Sequence, residues 1–134
     1  MRELAPTDAA YIAGLIDGEG SLILYLHRRT VTPRVTVGMT DRPLLEWLES
    51  TTECGTISCQ LPRDPLKHKI AYQWKPGIKD LGYFLEQLRP YLRLKAPQAD
   101  ILIEFLQRKG ESPTREWQEE QRLRMVALNR NGPD

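Results

Sequence analysis

From Tyr11 to Leu22 the chain reads Tyr-Ile-Ala-Gly-Leu-Ile-Asp-Gly-Glu-Gly-Ser-Leu, an apolar helical stretch that runs into two carboxylates set among glycines. At helical spacing Ala10, Gly14 and Gly18 fall four apart on one stripe, and Ala13 and Asp17 lie beside it. Each glycine in a helix interior costs roughly 1 kcal/mol relative to alanine, so two in one short helix imply a compensating close approach of a second backbone. Ala10, Ala13, Gly14 and Asp17 are therefore expected at a helix–helix interface. Packing inside a core is the plain alternative, but core helices seldom finish on two carboxylates. An acidic side chain held at the end of a packed helix is also a hard-oxygen ligand suited to Mg²⁺, which needs few protein ligands.

Charge distribution narrows the partner. The 134-residue chain has a net charge of only +1, a weak signal for nucleic acid. Residues 1–20 nevertheless carry one basic and four acidic side chains, residues 21–79 nine basic against five acidic, and residues 80–134 nine of each. Positive charge thus concentrates just after the glycine helix. The length suits one well-packed domain, with a core over about 7–109 and a helical extension over about 110–134. With no long apolar run and no apolar leader after Met1, a soluble, intracellular protein without membrane contact is expected, in the cytoplasm or an organelle of the host. Cys54 and Cys59 have no second pair to complete a zinc site and read as reduced thiols.

Periodicity supplies the elements. Thr7 or Asp8 can cap a helix running to about Asp17. From Ser21 to Thr30 the period becomes two, with Leu22, Leu24 and Leu26 opposite Ser21, Ile23, Tyr25, His27 and Arg29. A turn near Thr32-Pro33 leads to a second strand, where Val35, Val37 and Met39 alternate with Arg34, Thr36 and Gly38. Arg42 to about Glu53 reads as a helix ended before Gly55. Gly55 to Lys75 reads as a second hairpin: Thr56, Ser58 and Gln60 alternate with Ile57, and after a polar loop through Arg63-Asp64-Pro65, Ile70, Tyr72 and Trp74 alternate with Lys69, Ala71 and Gln73. An insertion near Gly77 leaves open which face of the fourth strand is which. Ile78, Leu81, Phe84, Leu85 and Leu88 form an amphipathic stripe interrupted at Pro90. One helix follows Pro97, and another starts near Ser112-Pro113 and stops before Gly132-Pro133.

Helix-strand-strand-helix-strand-strand-helix is an α+β order that suits a four-stranded antiparallel sheet with helices on one face. The uncovered face would then hold the polar alternating positions, and a sheet of that kind can lie in the major groove of double-stranded DNA. Ile23, Tyr25, His27, Arg29, Thr32, Arg34, Thr36, Gly38, Ser58, Gln60, Lys69, Ala71 and Gln73 are the candidate DNA-facing residues. A merely solvated face is the alternative. His27 and His68 belong to no cluster that would make them acid–base catalysts, and Trp47, Trp74 and Trp117 fit apolar or interface positions rather than a base-stacking platform.

Residues 12–20 resemble the LAGLIDADG signature of homing endonucleases: Ala13, Gly14, Leu15, Ile16, Asp17 and Gly20 match outright, Ile12 and Glu19 are close replacements, and Gly18 stands where a small residue is usual. The likeness extends over roughly residues 8–109. The segment from Leu88 to Ala99, with Pro90-Tyr91-Leu92-Arg93-Leu94-Lys95 at its centre, is similar to the corresponding segment of single-motif members encoded in group I introns. The resemblance implies a homodimer whose signature helices pack across a two-fold axis, a saddle of strands on a long, near-palindromic site in double-stranded DNA, and divalent-metal-dependent hydrolysis leaving 3′ overhangs. It implies Mg²⁺ as cofactor, with Mn²⁺ or Ca²⁺ able to substitute for binding.

Carried over residue by residue, Glu19 becomes the metal-binding carboxylate and the Gly18 carbonyl its companion ligand, while Asp17 caps or braces the helix pair. Lys95 matches a basic residue that orders water and steadies the phosphate charge, although a lone lysine is usually just solvated. Asp41 matches a polar position that helps place the attacking water, or else it caps the helix that follows. A basic residue expected four positions later is replaced by Leu45. An RNA maturase, or a DNA-binding protein of the same fold without cleavage, is the rival reading, and the acidic residue kept at position 19 favours the nuclease.

Overall fold

The computed structural model describes residues 1–62, 64, 66–67 and 69–130. Five α-helices and four strands follow one another: α1 (Pro6–Glu19), β1 (Gly20–His27), β2 (Thr30–Met39), α2 (Arg42–Thr52), β3 (Thr56–Gln60), β4 (Ala71–Lys75), α3 (Ile78–Leu88), α4 (Ala96–Arg108) and α5 (Arg115–Arg130). Single 3₁₀ turns at Arg89–Tyr91 and Lys109–Glu111 flank α4. The expected order holds. All strand pairs are antiparallel, and the sheet order is β1-β2-β4-β3.

One sheet face supplies Leu22, Leu24, Val31, Val35, Val37 and Trp74 to the core, where they meet Ile12 and Ile16 of α1, Leu45 and Leu48 of α2, Phe84 and Leu88 of α3 and Leu102 of α4. Helices therefore cover that face alone. α1 presents Ala9, Ile12, Ala13 and Ile16 inward at spacings of three and four. Its opposite side, with Ala10, Tyr11, Gly14 and Gly18, is exposed. No helix among the described residues is long and apolar enough to cross a membrane.

Several expected boundaries move, each for a local reason. Neither Thr7 nor Asp8 caps α1: Ala5 is the capping residue without a side-chain bond, and Pro6 opens the helix with its φ already helical and no N–H to leave unpaired. The helix also continues past Asp17 to Glu19, where the Gly20 N–H donates to Ile16 O and closes the last turn. β1 ends at His27, and the hairpin turns at Arg28–Arg29, with Arg28 in the left-handed region at φ 57°. The turn expected at Thr32-Pro33 is strand instead, with Pro33 opposite Leu24. β2 pairs with β4 only over Val37–Met39, so the missing N–H of Pro33 faces no strand. Leu26, near the hairpin tip beside a groove shared with Arg115, Gln118 and Glu119 of α5, is 52% exposed rather than buried.

β4 begins at Ala71, so Lys69 and Ile70 are exposed residues ahead of it rather than members of the strand. Arg63, Pro65 and His68 of the expected loop, and the helix stop before Gly132-Pro133, lie outside the described residues. The register settles the fourth strand: Gln73 sits between Ser58 and Gly38, and Ala71 beside Gln60, on the uncovered face, while Trp74 sits between Ile57 and Val37 over the core.

The turn into β3 depends on Trp74. Its indole Nε1 donates to Cys54 O at 3.1 Å, beside Gly55, which holds φ +86° with the indole ring where a Cβ would stand. Cys54 and Cys59 are both free, the first buried and the second exposed. Gly55→Ala should destabilise the protein by about 1–3 kcal/mol, the cost of a strained left-handed residue, as measured by urea denaturation; the larger figure applies if Trp74 has to shift.

Candidate metal centre and nucleic-acid interface

Asp17 and Glu19 sit in the last turn of α1, which contains no basic residue. Carboxylates there face the negative end of the helix dipole and the carbonyls that the helix itself leaves without donors. Compensation comes from far along the chain. Lys95, the residue just before α4, donates from Nζ to Ile16 O at 3.2 Å and to Gly20 O at 2.5 Å, placing a cation against the helix terminus. In return Asp17 accepts from the backbone, Oδ2 from Arg93 N and Oδ1 from Lys95 N, each at 2.9 Å. Burial pushes the Lys95 ammonium below its usual range, and the negative charges of Asp17 and Glu19 offset this in part.

Asp17 therefore braces α1 to the segment before α4 of its own chain. Ala13 leaves the expected interface set, because it is fully buried in its own core. Ala10 and Gly14 remain on the exposed side of α1, next to a groove lined by Asp17, Pro90, Tyr91 and Arg93. A Cβ at Gly14 or Gly18 would meet nothing within 4 Å, so nothing in the protomer demands glycine there. The stripe is thus bare and open on the outer side of α1.

Glu19 is exposed and, among the described residues, its carboxylate has neither an ion pair nor a hydrogen bond. With both Asp17 oxygens engaged by backbone amides, Glu19 is the carboxylate left without a partner among the described residues beside the terminal carbonyls of α1. No group of three or more His, Cys, Asp or Glu side chains capable of holding a metal occurs among the described residues. Such a donor set does not fit a closed protein cage. It fits a hydrated, hard cation that takes one carboxylate and a carbonyl such as that of Gly18, and completes its shell elsewhere.

Asp41 accepts from Leu44 N at 3.2 Å and is the N-cap of α2, which is the capping alternative; its side chain is otherwise exposed. Leu45, where a basic residue was expected, is fully buried in the core. Neighbouring Arg42 is held over the Tyr72 ring at 5.1 Å and paired with Glu46 at 2.9 Å.

On the uncovered sheet face the register aligns Ile23 with Arg34, Tyr25 with Thr32, and Ser58 and Gly38 with Gln73. Arg34, His27, Ser58 and Gln60 are exposed, and Ile23, Tyr25, Thr32, Ala71 and Gln73 are half-buried. The Arg34 guanidinium lies over the Tyr25 ring, 4.8 Å from its centre. Thr36 shares this face by register but is only 8% exposed, so its hydroxyl is poorly placed for an outside ligand. Arg29 belongs to the hairpin turn and Lys69 to the segment before β4, both exposed at the margins of the sheet.

Sequence reasoning missed the part played by Asn129 near the end of α5, whose Nδ2 donates to Leu22 O at 3.0 Å. A polar residue near a helix end carries no sequence signal that it reaches a strand 107 positions away.

No protein-family model matches the chain. It is 32% identical over 106 residues to DNA endonuclease I-CreI of Chlamydomonas reinhardtii, a stretch covering 72% of this chain and 61% of that relative. The fold matches the homing endonuclease I-CvuI, solved with its target in the presence of calcium, at a TM-score of 0.74 and 21% identity over 92% of this chain and 82% of the other. It also matches the LAGLIDADG meganuclease I-AabMI, solved on uncleaved DNA, at a TM-score of 0.67 and 18% identity over 90% and 43%. With the signature over residues 12–20, the antiparallel sheet over a helical layer and these relatives all in accord, the chain belongs to the LAGLIDADG homing-endonuclease family.

Proposed function

We propose that the protein is a homodimeric, site-specific DNA endonuclease that hydrolyses one phosphodiester bond on each strand of a long, near-palindromic target, leaving 3′ overhangs. The observation that carries this reading is the free Glu19 carboxylate at the end of a helix whose outer side is bare, with an uncovered polar sheet face beginning at the next residue. Packing two copies of α1 along Ala10, Gly14 and Gly18 brings two Glu19 side chains together at a two-fold axis. One signature per chain then requires two chains per site, and their symmetry is mirrored in the target.

Glu19 and the Gly18 carbonyl would hold Mg²⁺, which supplies Lewis-acid polarisation of the scissile phosphate and acidifies water at neutral pH. Lys95 has three ammonium donors, two of them committed to Ile16 O and Gly20 O. The third is available to steady charge gathering on the phosphate as water attacks in line. Asp41 caps α2 with one carboxylate oxygen, which leaves the other to orient the attacking water. Arg34 over Tyr25, with His27, Ser58, Gln60 and Gln73, would read base edges or phosphates, and Arg29 and Lys69 would reach the backbone at the margins.

Cleavage of a randomised-site plasmid library with and without Mg²⁺, followed by sequencing of the ends, tests activity, site and overhang together; no cut at any site would overturn the reading. Glu19→Gln should reduce single-turnover cleavage more than about tenfold, or over 1.4 kcal/mol of barrier, with affinity for the selected duplex nearly unchanged in gel-shift assays. Gly14→Leu should leave folding intact, because its side chain points into open space, yet convert the dimer to monomer by light scattering and abolish cleavage with it. Lys95→Met should lower the cleavage rate about ten- to a thousandfold. The same variant should lose about 1–3 kcal/mol of stability to denaturant, because Gly20 O loses its side-chain donor and Ile16 O keeps only the Gly20 N–H.

A further inference from the structure

β1 is an edge strand, with β2 on one side and, among the described residues, no strand on the other. In an antiparallel edge strand every second carbonyl points away from the ladder, and here Gly20 and Leu22 are two such positions in succession. Lys95 Nζ takes Gly20 O at 2.5 Å, and Asn129 Nδ2 takes Leu22 O at 3.0 Å. The two donors are linked: Gln98, on the first turn of α4 after Lys95, donates from Nε2 to Asn129 Oδ1 at 3.4 Å. Gln98 is buried, and its Oε1 has no protein donor among the described residues. A buried amide left half-satisfied is unfavourable for stability, so its place is better explained by what its donor end orients.

We propose that Asn129, oriented by Gln98, is a positioning residue that clamps the outer edge of β1 and so fixes Glu19 relative to Lys95. The clamp acts within three residues of Glu19, on the strand that continues directly from it. Lys95 alone fixes Gly20 O, but an edge strand held at one carbonyl can still twist about it. The second hold, at Leu22 O, removes that freedom. α5 thereby becomes part of the cleavage centre without touching DNA or the reacting atoms. This inference rests on the nuclease reading for its activity arm only.

The test compares wild type with Asn129→Asp, which keeps the shape but loses the donor, with Asn129→Ala, and with Asn129→Gln, which restores a donor on a longer arm. The DNA probe is a duplex carrying the site selected from the randomised library. Asn129→Asp and Asn129→Ala should lower single-turnover cleavage about ten- to a hundredfold while the Kd for the duplex changes by less than about threefold, and Asn129→Gln should recover part of the rate. Amide hydrogen exchange on the free protein should quicken about tenfold at Ser21, Ile23 and Tyr25, the positions that face the β2 ladder, and remain unchanged in α2 and α3. Unchanged cleavage in both donor-less variants would overturn the proposal, as would a rate loss matched by equal loss of affinity. If wild type cuts no site in the library, the nuclease reading fails, and the exchange arm still decides the clamp: unaltered protection along β1 refutes it.

Discussion

Two anions at the C-terminal end of a helix oppose the field of their own backbone, and the rest of the chain is arranged to keep them there. The balancing cation does not come from α1 but from Lys95, 75 residues beyond the carbonyl it caps. Asp17 returns the favour by ordering the backbone around that lysine. The exchange splits two chemically similar carboxylates into different roles. One is consumed in holding the chain together, and the other is left with its lone pairs free for an external cation.

What could be read from the residues alone was whatever depends on spacing along the chain. The order of elements, the inward-facing Leu22 and Leu24, and the polar set on the other side of β1 follow from a period of two, and the face of α2 and α3 from a period near 3.6. Boundaries failed where a tertiary contact overrode local propensity. Pro33 reads as a turn residue until one knows that no strand passes on its N–H side. Ala13 and Gly14 are adjacent and both small, yet one is buried in its own core and the other looks outward, a distinction that needs the phase of the helix against the sheet. Asp17 looked like an interface residue because its partners, the amides of Arg93 and Lys95, are remote and carry no sequence signature.

The candidate site was legible for a different reason. Glu19, Gly18 and Lys95 lie in two short segments that resemble a known family, so their meeting was anticipated without knowing its geometry. Asn129 lay in neither segment, and only the fold shows that it and Lys95 grip alternate carbonyls of one strand. The site also departs from the expected pattern in substance. Leu45 fills core volume where a cation was expected, and the neighbouring Arg42 is already committed to Glu46 and the Tyr72 ring. Positive charge next to the end of α1 thus falls chiefly to Lys95.

The short pairing between β2 and β4 has a mechanical consequence. Each hairpin is a continuous ladder, but the two are joined only across Val37–Met39, at the end of β2 nearest the α1 terminus. The sheet is therefore least stiff along that seam. The half carrying Arg34 and the half carrying Gln60 can tilt against each other while both ladders stay intact, and the pivot lies close to Glu19. If the sheet lies on DNA as proposed, a surface jointed in this way would conform to a duplex whose groove width drifts from one end of the site to the other, with the least displacement next to Glu19.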